Sequence, residues 1–240
     1  MRGVSARSTV LSVLLGAHPP ELPARELVAA AGLVGVSEAT VRVALSRMVS
    51  AGDLLRDGTS YRLAARLVER QRRQDAAVEP ATKAWRGDWE LMVVTASGRS
   101  AADRAGLRAR LAGLRLAELR EGVWMRPDNL RRPWPAELDD VVRRLEVRPV
   151  GEPRALAHEL WDLNGWASYG RSLLDLLGRT DEPASRFAAI AASVRHLVSD
   201  PVLPAELLPA GWPGAELRDA YDDYRRWLMA MRPTLTEAIR

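Results

Sequence analysis

The feature that most constrains the fold is an Asp57-Gly58 pair set between two short apolar runs. Asp-Gly is a strong signal for a two-residue hairpin turn, because such a turn needs positive φ angles that glycine adopts at no steric cost. Two leucines precede the pair, and polar and apolar residues alternate after it from Ser60 to Leu63. The pattern predicts a β-hairpin in the first third of the chain.

Three short helices are predicted before this hairpin. Ser5 and Ser37 are suited to cap the first and third helices, and Pro23 is suited to open the second. Gly32 and Gly52 are placed to end the second and third helices. Three helices followed by a hairpin is the order of a winged helix-turn-helix, a fold that places one helix in the major groove of DNA.

The pattern changes after residue 88. Residues 89–152 alternate short apolar runs with amphipathic segments in the order β-α-β-β-α-β, which predicts a ferredoxin-like sandwich. Its two helices are predicted at 99–114 and at 135–144, and a closing strand is predicted at 146–150. Helices on one face of an antiparallel sheet make this a two-layer domain.

The last part of the chain is predicted to be helical. One long helix is predicted across residues 156–177, and an apolar stripe from Leu217 to Met231 predicts the final helix. Between them, residues 200–214 contain four prolines, each of which lacks an amide donor and restricts the preceding residue. We expect this segment to be an ordered loop.

The predicted fold class is therefore α+β and mostly helical. Four regions are predicted, in order: a winged helix-turn-helix domain at 1–64, a connecting helix and linker at 65–88, a ferredoxin-like dimerisation domain at 89–152, and a helical C-terminal domain that senses an effector at 153–240.

Composition excludes several kinds of site. The absence of cysteine rules out disulfides, thiolate zinc sites and a cysteine nucleophile, and favours a reducing compartment, the cytoplasm. No apolar run reaches the ~18 residues that a membrane-spanning helix needs. The histidines are scattered, and no glycine-rich phosphate loop or nucleophile elbow is present. We therefore predict no cofactor, no metal site and no enzymatic activity.

The positive charge of the chain is concentrated in its first third. Residues 1–73 contain eleven arginines and six acidic residues, a net charge of +5, whereas the whole chain carries +4. The remaining residues are therefore slightly acidic. A localised positive charge indicates an anionic partner, most often nucleic acid.

Three stretches of the sequence follow the pattern of one known family. They are Ser-Ala-Arg-Ser at 5–8, the segment 35–48 with Val-Arg-Val-Ala-Leu-Ser-Arg-Met at its end, and the proline-rich segment 200–214. Together they resemble the PaaX-like family of phenylacetic acid degradation repressors. The resemblance implies a winged helix, a middle domain similar to the ferredoxin-like CRISPR adaptation nuclease subunit, and a helical C-terminal domain. It also implies a homodimeric repressor that an aromatic acyl-CoA, such as phenylacetyl-CoA, releases from DNA.

The candidate DNA-binding residues lie mainly on the third predicted helix. If Val41, Leu45 and Met48 face the core, the outward surface of that helix carries Thr40, Arg42, Val43, Ser46 and Arg47. Arginine can bond guanine O6 and N7 together, and threonine or valine methyls can contact thymine. The alternative is that the two arginines only decorate a solvated helix.

Phosphate contacts are predicted outside that helix, from Arg7 on the first helix and from Ser60 and Arg62 on the hairpin. One winged helix per subunit reads one half-site, so a symmetric homodimer predicts a palindromic operator in double-stranded DNA. The alternative for Arg7 is a surface residue of the first helical turn.

The C-terminal third is rich in tryptophan and tyrosine, whose rings suit an aromatic ligand pocket as well as a core. The candidate effector-binding residues combine these rings with nearby cations: Trp161, Trp166, Tyr169, Arg195, His196 and Trp212. We expect them to hold an acyl-CoA between the middle and C-terminal domains. The alternative for each is a place in the core or on the surface.

Two other classes of function stay open. A metal-dependent nuclease would use the ferredoxin-like domain, but the strand Leu91–Thr95 carries no acid at its end, where similar nucleases place an aspartate that holds a divalent cation. The other is a structural DNA-binding module that takes no ligand. We favour a ligand-responsive regulator that is not an enzyme.

Overall fold

The computed structural model describes residues 5–96, 98 and 100–237, with residues 229–237 described by their backbone alone. It is mixed α+β and mostly helical, as predicted. The chain divides into two compact units, each assembled from separate stretches. Unit 1 contains residues up to 79, 169–199 and from 213 onward, and unit 2 contains residues 80–168 and 200–212.

The N-terminal stretch of unit 1 forms helices around a small sheet. Its elements in chain order are α1 (Ala6–Leu15), β1 (Glu21–Pro23), α2 (Ala24–Gly32), α3 (Glu38–Ser50), β2 (Leu54–Asp57), β3 (Ser60–Leu63) and α4 (Ala65–Val78). The side chains of Ser5 and Ser37 accept the amide hydrogens of Ser8 and Thr40, so both predicted caps are confirmed.

The predicted hairpin is confirmed as β2 and β3, and Gly58 has the positive φ of 55° that the turn requires. A third strand, β1, was not predicted. It pairs antiparallel with β3, with Leu22 opposite Tyr61, so β3 lies in the centre of the sheet. A three-residue strand has no period to detect, and its partner lies about 40 residues away in sequence.

One apolar cluster holds these elements together. Val10 and Leu14 of α1 meet Leu27 of α2 and the α3 residues Val41 and Leu45, and all five are at most 1% exposed. The predicted inward stripe of α3 is thereby confirmed, because Met48 is buried in the same cluster. α3 therefore presents its opposite side to solvent.

Unit 1 is completed by helices from the end of the chain: most of α7 (Leu163–Gly178), α8 (Pro183–Val198) and α9 (Gly214–Glu237). α8 packs on α4 and α9, and α9 packs on α2. Phe187, Ile190 and Tyr224 form an apolar cluster with Val34. The side chain of Met231, predicted in the α9 stripe, lies outside the described residues.

Unit 2 contains a four-stranded antiparallel sheet in the order β5-β6-β4-β7. Its elements are β4 (Trp89–Val94), α5 (Ala101–Gly113), β5 (Ala117–Arg120), β6 (Val123–Pro127), β7 (Val142–Val147) and α6 (Pro153–Leu160), together with the first residues of α7. α5 packs Leu107 and Leu111 against Met92 and Trp124 of the sheet. Arg99, at the predicted start of this helix, lies outside the described residues.

Two predictions for this part of the chain are wrong. The helix predicted at 135–144 is a short 3-10 turn at Ala136–Leu138, and β7 begins at Val142 rather than at 146 because Val142 pairs with Val94 at the end of β4. The long helix predicted across 156–177 is broken between α6 and α7. Asp162 causes the break, since its carboxylate accepts the Gly165 amide at 2.9 Å and caps α7.

The proline-rich segment is a loop with one 3-10 turn at Ala205–Leu207, as predicted. A fully buried arginine fixes it, because the Arg126 guanidinium donates to the carbonyls of Pro201 and Val202 and to Asn129 Oδ1. Burial and the neighbouring Arg132 lower the pKa of Arg126 to about 9, which leaves it charged at neutral pH. Among the described residues, no helix is both long and apolar enough to span a bilayer.

Candidate functional site

The outward surface of α3 forms one side of a groove in unit 1, and the start of α1 forms the other. Thr40, Val43 and Arg47 line the α3 side, where they follow one another at three- and four-residue spacing. Arg7 lies on the α1 side. Val43 is 51% exposed although it is apolar, so this helix face is covered by no other part of the described chain. Four of the predicted DNA-binding residues thus meet at one place.

The arginines of this surface differ in their partners. Arg7 donates to Asp53 at 2.7 Å, and Arg66 contacts the same buried carboxylate. Arg42 donates to Glu38 at 2.8 Å, one helical turn away. Arg47 is exposed, and its side chain has neither a hydrogen bond nor an ion pair with any described residue. Its guanidinium is therefore available to an anion.

The remaining DNA-binding candidates lie beside these arginines along α3 and on the hairpin. Ser46 is exposed on α3. On β3, Leu63 is buried and Tyr61 packs against the core, whereas Arg62 is exposed and Ser60 half-buried. The alternation predicted for this strand is confirmed, because successive side chains point to opposite faces.

The predicted effector residues are divided between the two units. In unit 2, the rings of Trp166 and Trp212 stack with centroids 4.3 Å apart, and Trp161 belongs to the same apolar cluster as Trp212. In unit 1, Tyr169 meets His196 edge to face at 4.9 Å. The sixth candidate, Arg195, lies on α8 of unit 1.

A cavity of about 360 Å³ lies inside unit 1, and Arg195 is on its wall. Its lining comes from α1, α2 and α4 on one side and from α8 and α9 on the other. Small residues leave the space open, among them Ala29 and Ala30 of α2 and Ala191 of α8. The sequence carries no signal for such a cavity, since it depends on how helices distant in sequence pack together.

Burial shapes the chemistry of the two tyrosines in this wall. Desolvation raises the pKa of Tyr224 to about 12 and also raises the pKa of Tyr221, whose hydroxyl is bonded to Gln74. Both phenols are therefore neutral hydrogen-bonding groups at physiological pH.

The acidic residue on β4 is occupied by an ion pair. The Glu90 carboxylate accepts from Arg132 at 2.7 and 3.0 Å, a bidentate arrangement that leaves it poorly placed to bind a cation. In the part of the chain that the structure describes, no group of three or more metal-ligating side chains comes together.

Comparison with known proteins finds family matches along most of the chain. Residues 5–67 match the PaaX-like protein, residues 82–150 the PaaX protein central Cas2-like domain, and residues 169–234 the PaaX-like protein C-terminal domain. The resemblance seen in the sequence is thereby confirmed. No curated protein shows significant similarity.

Among solved structures, the chain is similar to the uncharacterized protein Rv0674 from Mycobacterium tuberculosis. The two are 50% identical with a TM-score of 0.83, over 97% of this chain and 99% of that one. Similarity of sequence and structure therefore extends over nearly the whole length. The chain belongs to the PaaX-like family, and this membership indicates a transcriptional regulator.

Proposed function

We propose that the protein is a transcriptional repressor that binds double-stranded DNA through the exposed face of α3. The observation that carries this proposal is the groove in which Arg7, Thr40, Val43 and Arg47 meet. It combines the cations Arg7 and Arg47 with methyl groups on a face of α3 that no other part of the described chain covers. Those are the groups that phosphates and base edges require.

Each arginine has a distinct role in this proposal. Arg42 reads a guanine, since it can leave Glu38 at small cost: an exposed i,i+4 ion pair contributes only about 0.3 to 0.5 kcal/mol. Arg47 and Arg7 bind phosphate. Asp53 tolerates the partial loss of Arg7 because Arg66 also contacts it.

Thr40, Val43 and Ser46 complete the base-reading surface of α3. The methyl groups of Thr40 and Val43 suit thymine, and the Ser46 hydroxyl can donate to or accept from a base. On the hairpin, Ser60 and Arg62 reach the flanking backbone.

The family relationship supports the rest of the proposal. Two subunits bind a palindromic operator as a homodimer, and an aromatic acyl-CoA releases them. The protein acts in the cytoplasm, where its DNA target lies. A ligand that releases the repressor must bind more tightly to the form that does not bind DNA.

The test begins with DNA from the organism's own genome. Fragments retained by the purified protein are sequenced, and we expect enrichment of one palindromic motif. Arg42→Ala should then weaken binding to that motif by about 1 to 3 kcal/mol and relax one base position in each half-site. Arg72→Ala is the matched control. Arg72 lies on α4, outside the groove, and its guanidinium pairs with Glu69 at 3.5 Å. Fragments drawn evenly from the genome would contradict sequence-specific binding.

A further inference from the structure

We propose that the cavity of unit 1 is a binding site for a small apolar molecule that carries an anionic group, and that its occupancy controls the position of α3. The binding half of the proposal, that the cavity holds this ligand, is inferred from the cavity alone. The regulatory half, that the ligand controls α3, rests on the proposed DNA-binding function, and separate experiments test the two.

The size of the cavity sets it apart from a packing defect. Protein interiors contain few voids larger than a water molecule, whereas 360 Å³ is the share of about a dozen waters in the liquid. It falls within the range of about 300 to 1,000 Å³ found for ligand pockets. Exposed residues on its wall, such as Arg73 and Val198, show that it opens to solvent.

The interior of the cavity is apolar. Its apolar lining includes Val13 of α1, Phe187, Ile190 and Val194 of α8 and Leu228 of α9. Water gains few hydrogen bonds in such a place, so a hydrocarbon chain or an aromatic ring is the favoured occupant. The Tyr221 hydroxyl and Gln74 offer a few polar contacts that can orient it.

The charges on the wall select an anion. Among the described residues, four arginines from α4, α8 and α9 line it, against one acid, Glu26. Arg225 is already paired with Asp222 at 3.3 Å. The side chains of Arg70, Arg73 and Arg195 have no hydrogen bond or ion pair with any residue that the structure describes. A carboxylate or phosphate would supply the partner that these three guanidinium groups lack.

The position of the cavity links it to the DNA-binding face. Its N-terminal wall consists of α1, α2 and α4, and both α1 and α2 pack directly on α3. Its opposite wall is α8 and α9. A ligand held between these walls favours one spacing of the helices, and a change of that spacing moves the α1–α3 groove.

Binding is tested with two fluorescent probes that share the same rings. One is the anion 8-anilinonaphthalene-1-sulfonate, and the other is neutral N-phenyl-1-naphthylamine. Ala191→Trp and Ala30→Trp fill the cavity from opposite walls, and each should lower the affinity for both probes about tenfold or more. Ala192 is next along α8 and does not line the cavity, so Ala192→Trp should change both affinities less than about twofold.

Circular dichroism checks that each of these variants keeps its helix content, and having two filling variants guards against one that fails to fold. Probe binding that is unchanged in a folded filling variant would overturn the site. So would equal weakening by Ala192→Trp.

The anion preference is tested with Arg73→Gln and its neighbour Arg72→Gln as control. Arg73→Gln removes a charged hydrogen bond to the sulfonate, so it should lower the affinity for the sulfonate probe about tenfold and leave the affinity for the neutral probe unchanged. Arg72→Gln should affect neither, since Arg72 does not line the cavity. An equal effect on both probes, or on neither, would overturn the anionic class of ligand.

Competition identifies the source of the anion. Phenylacetate and its CoA thioester are each titrated against the bound sulfonate probe, and displacement by either compound supports the site. Displacement by the free acid indicates that the arginines bind a carboxylate. Displacement by the thioester indicates that they bind phosphates. Displacement by neither overturns the assignment to an apolar acid or its thioester.

Coupling is measured as the operator affinity with and without the saturating competitor. We expect a decrease of about 5- to 150-fold that Ala191→Trp abolishes. A change below about twofold would overturn the regulatory half while leaving the binding site. If the protein binds no DNA at all, the proposed function fails and the probe results still decide the cavity.

Discussion

At the scale of single residues, the partners of a side chain decide what it can still do. Arg42 and Arg47 lie on the same helix, yet the side chain of Arg42 donates to Glu38 and that of Arg47 bonds no described residue. Spacing along α3 predicted that both are exposed. The spacing could not predict the partner of each arginine, because an exposed arginine on a helix can adopt several rotamers, and only some of them reach a carboxylate such as Glu38. Arg7 was predicted for phosphate, and its contact with buried Asp53 becomes visible only in the folded chain.

A residue-scale prediction concerns Tyr224 and pH. Its pKa is raised by burial to about 12, so the unfolded chain loses this proton first as the pH rises past about 10. The contribution of Tyr224 to stability is therefore constant below pH 10 and is lost between about pH 10 and 12, by up to about 2 to 3 kcal/mol.

Tyr224→Phe should remove that part of the pH dependence, together with the latest phase of phenolate absorbance. Urea unfolding of both proteins across this pH range makes the comparison. Identical slopes of unfolding free energy against pH would show that Tyr224 is not shielded from solvent.

At the scale of elements, the proline-rich loop depends on a strand far away in sequence. Val202 has a φ of 51°, a left-handed conformation that a β-branched residue adopts only when its surroundings impose it. Its carbonyl accepts from Arg126 and Asn129, and its amide donates to Asp200. Strand β6 thereby determines the path of the loop.

Arg126→Ala should destabilise unit 2 by about 3 kcal/mol or more, because several buried carbonyls lose their donor. Arg148→Ala is the control in the same unit. Arg148 is exposed and pairs with Asp88, so its loss should cost at most about 1 kcal/mol. Urea denaturation followed by circular dichroism measures both, and a loss below 1 kcal/mol for Arg126→Ala would show that the loop does not need it.

Elements defined by local signals were predicted well, and those defined by distant pairing were not. The caps at Ser5 and Ser37 and the turn at Gly58 act within a few residues, so the sequence reveals them. The first residues of β7, 142–144, were assigned to the predicted helix because they lack strict alternation, and only pairing with β4 makes them part of the strand. Helix spacing predicted the exposed face of α3, whereas the cavity follows from tertiary packing and could not be predicted.

At the scale of the whole chain, unit 1 combines both ends of the sequence in one compact body. The helix α3 and the cavity wall formed by α8 and α9 belong to this same unit. In the proposed mechanism, a ligand bound by the C-terminal helices changes how the N-terminal helices meet DNA. The function proposed for the molecule depends on the contact between α3 and DNA.

The salt dependence of operator affinity tests that contact most directly. Binding by arginines releases counterions, so log affinity should fall linearly and steeply with log salt concentration. Arg47→Ala should weaken binding and reduce the slope by about one, whereas Arg72→Ala should leave the slope unchanged. An Arg47→Ala protein with the affinity and slope of the native protein would contradict DNA binding through α3.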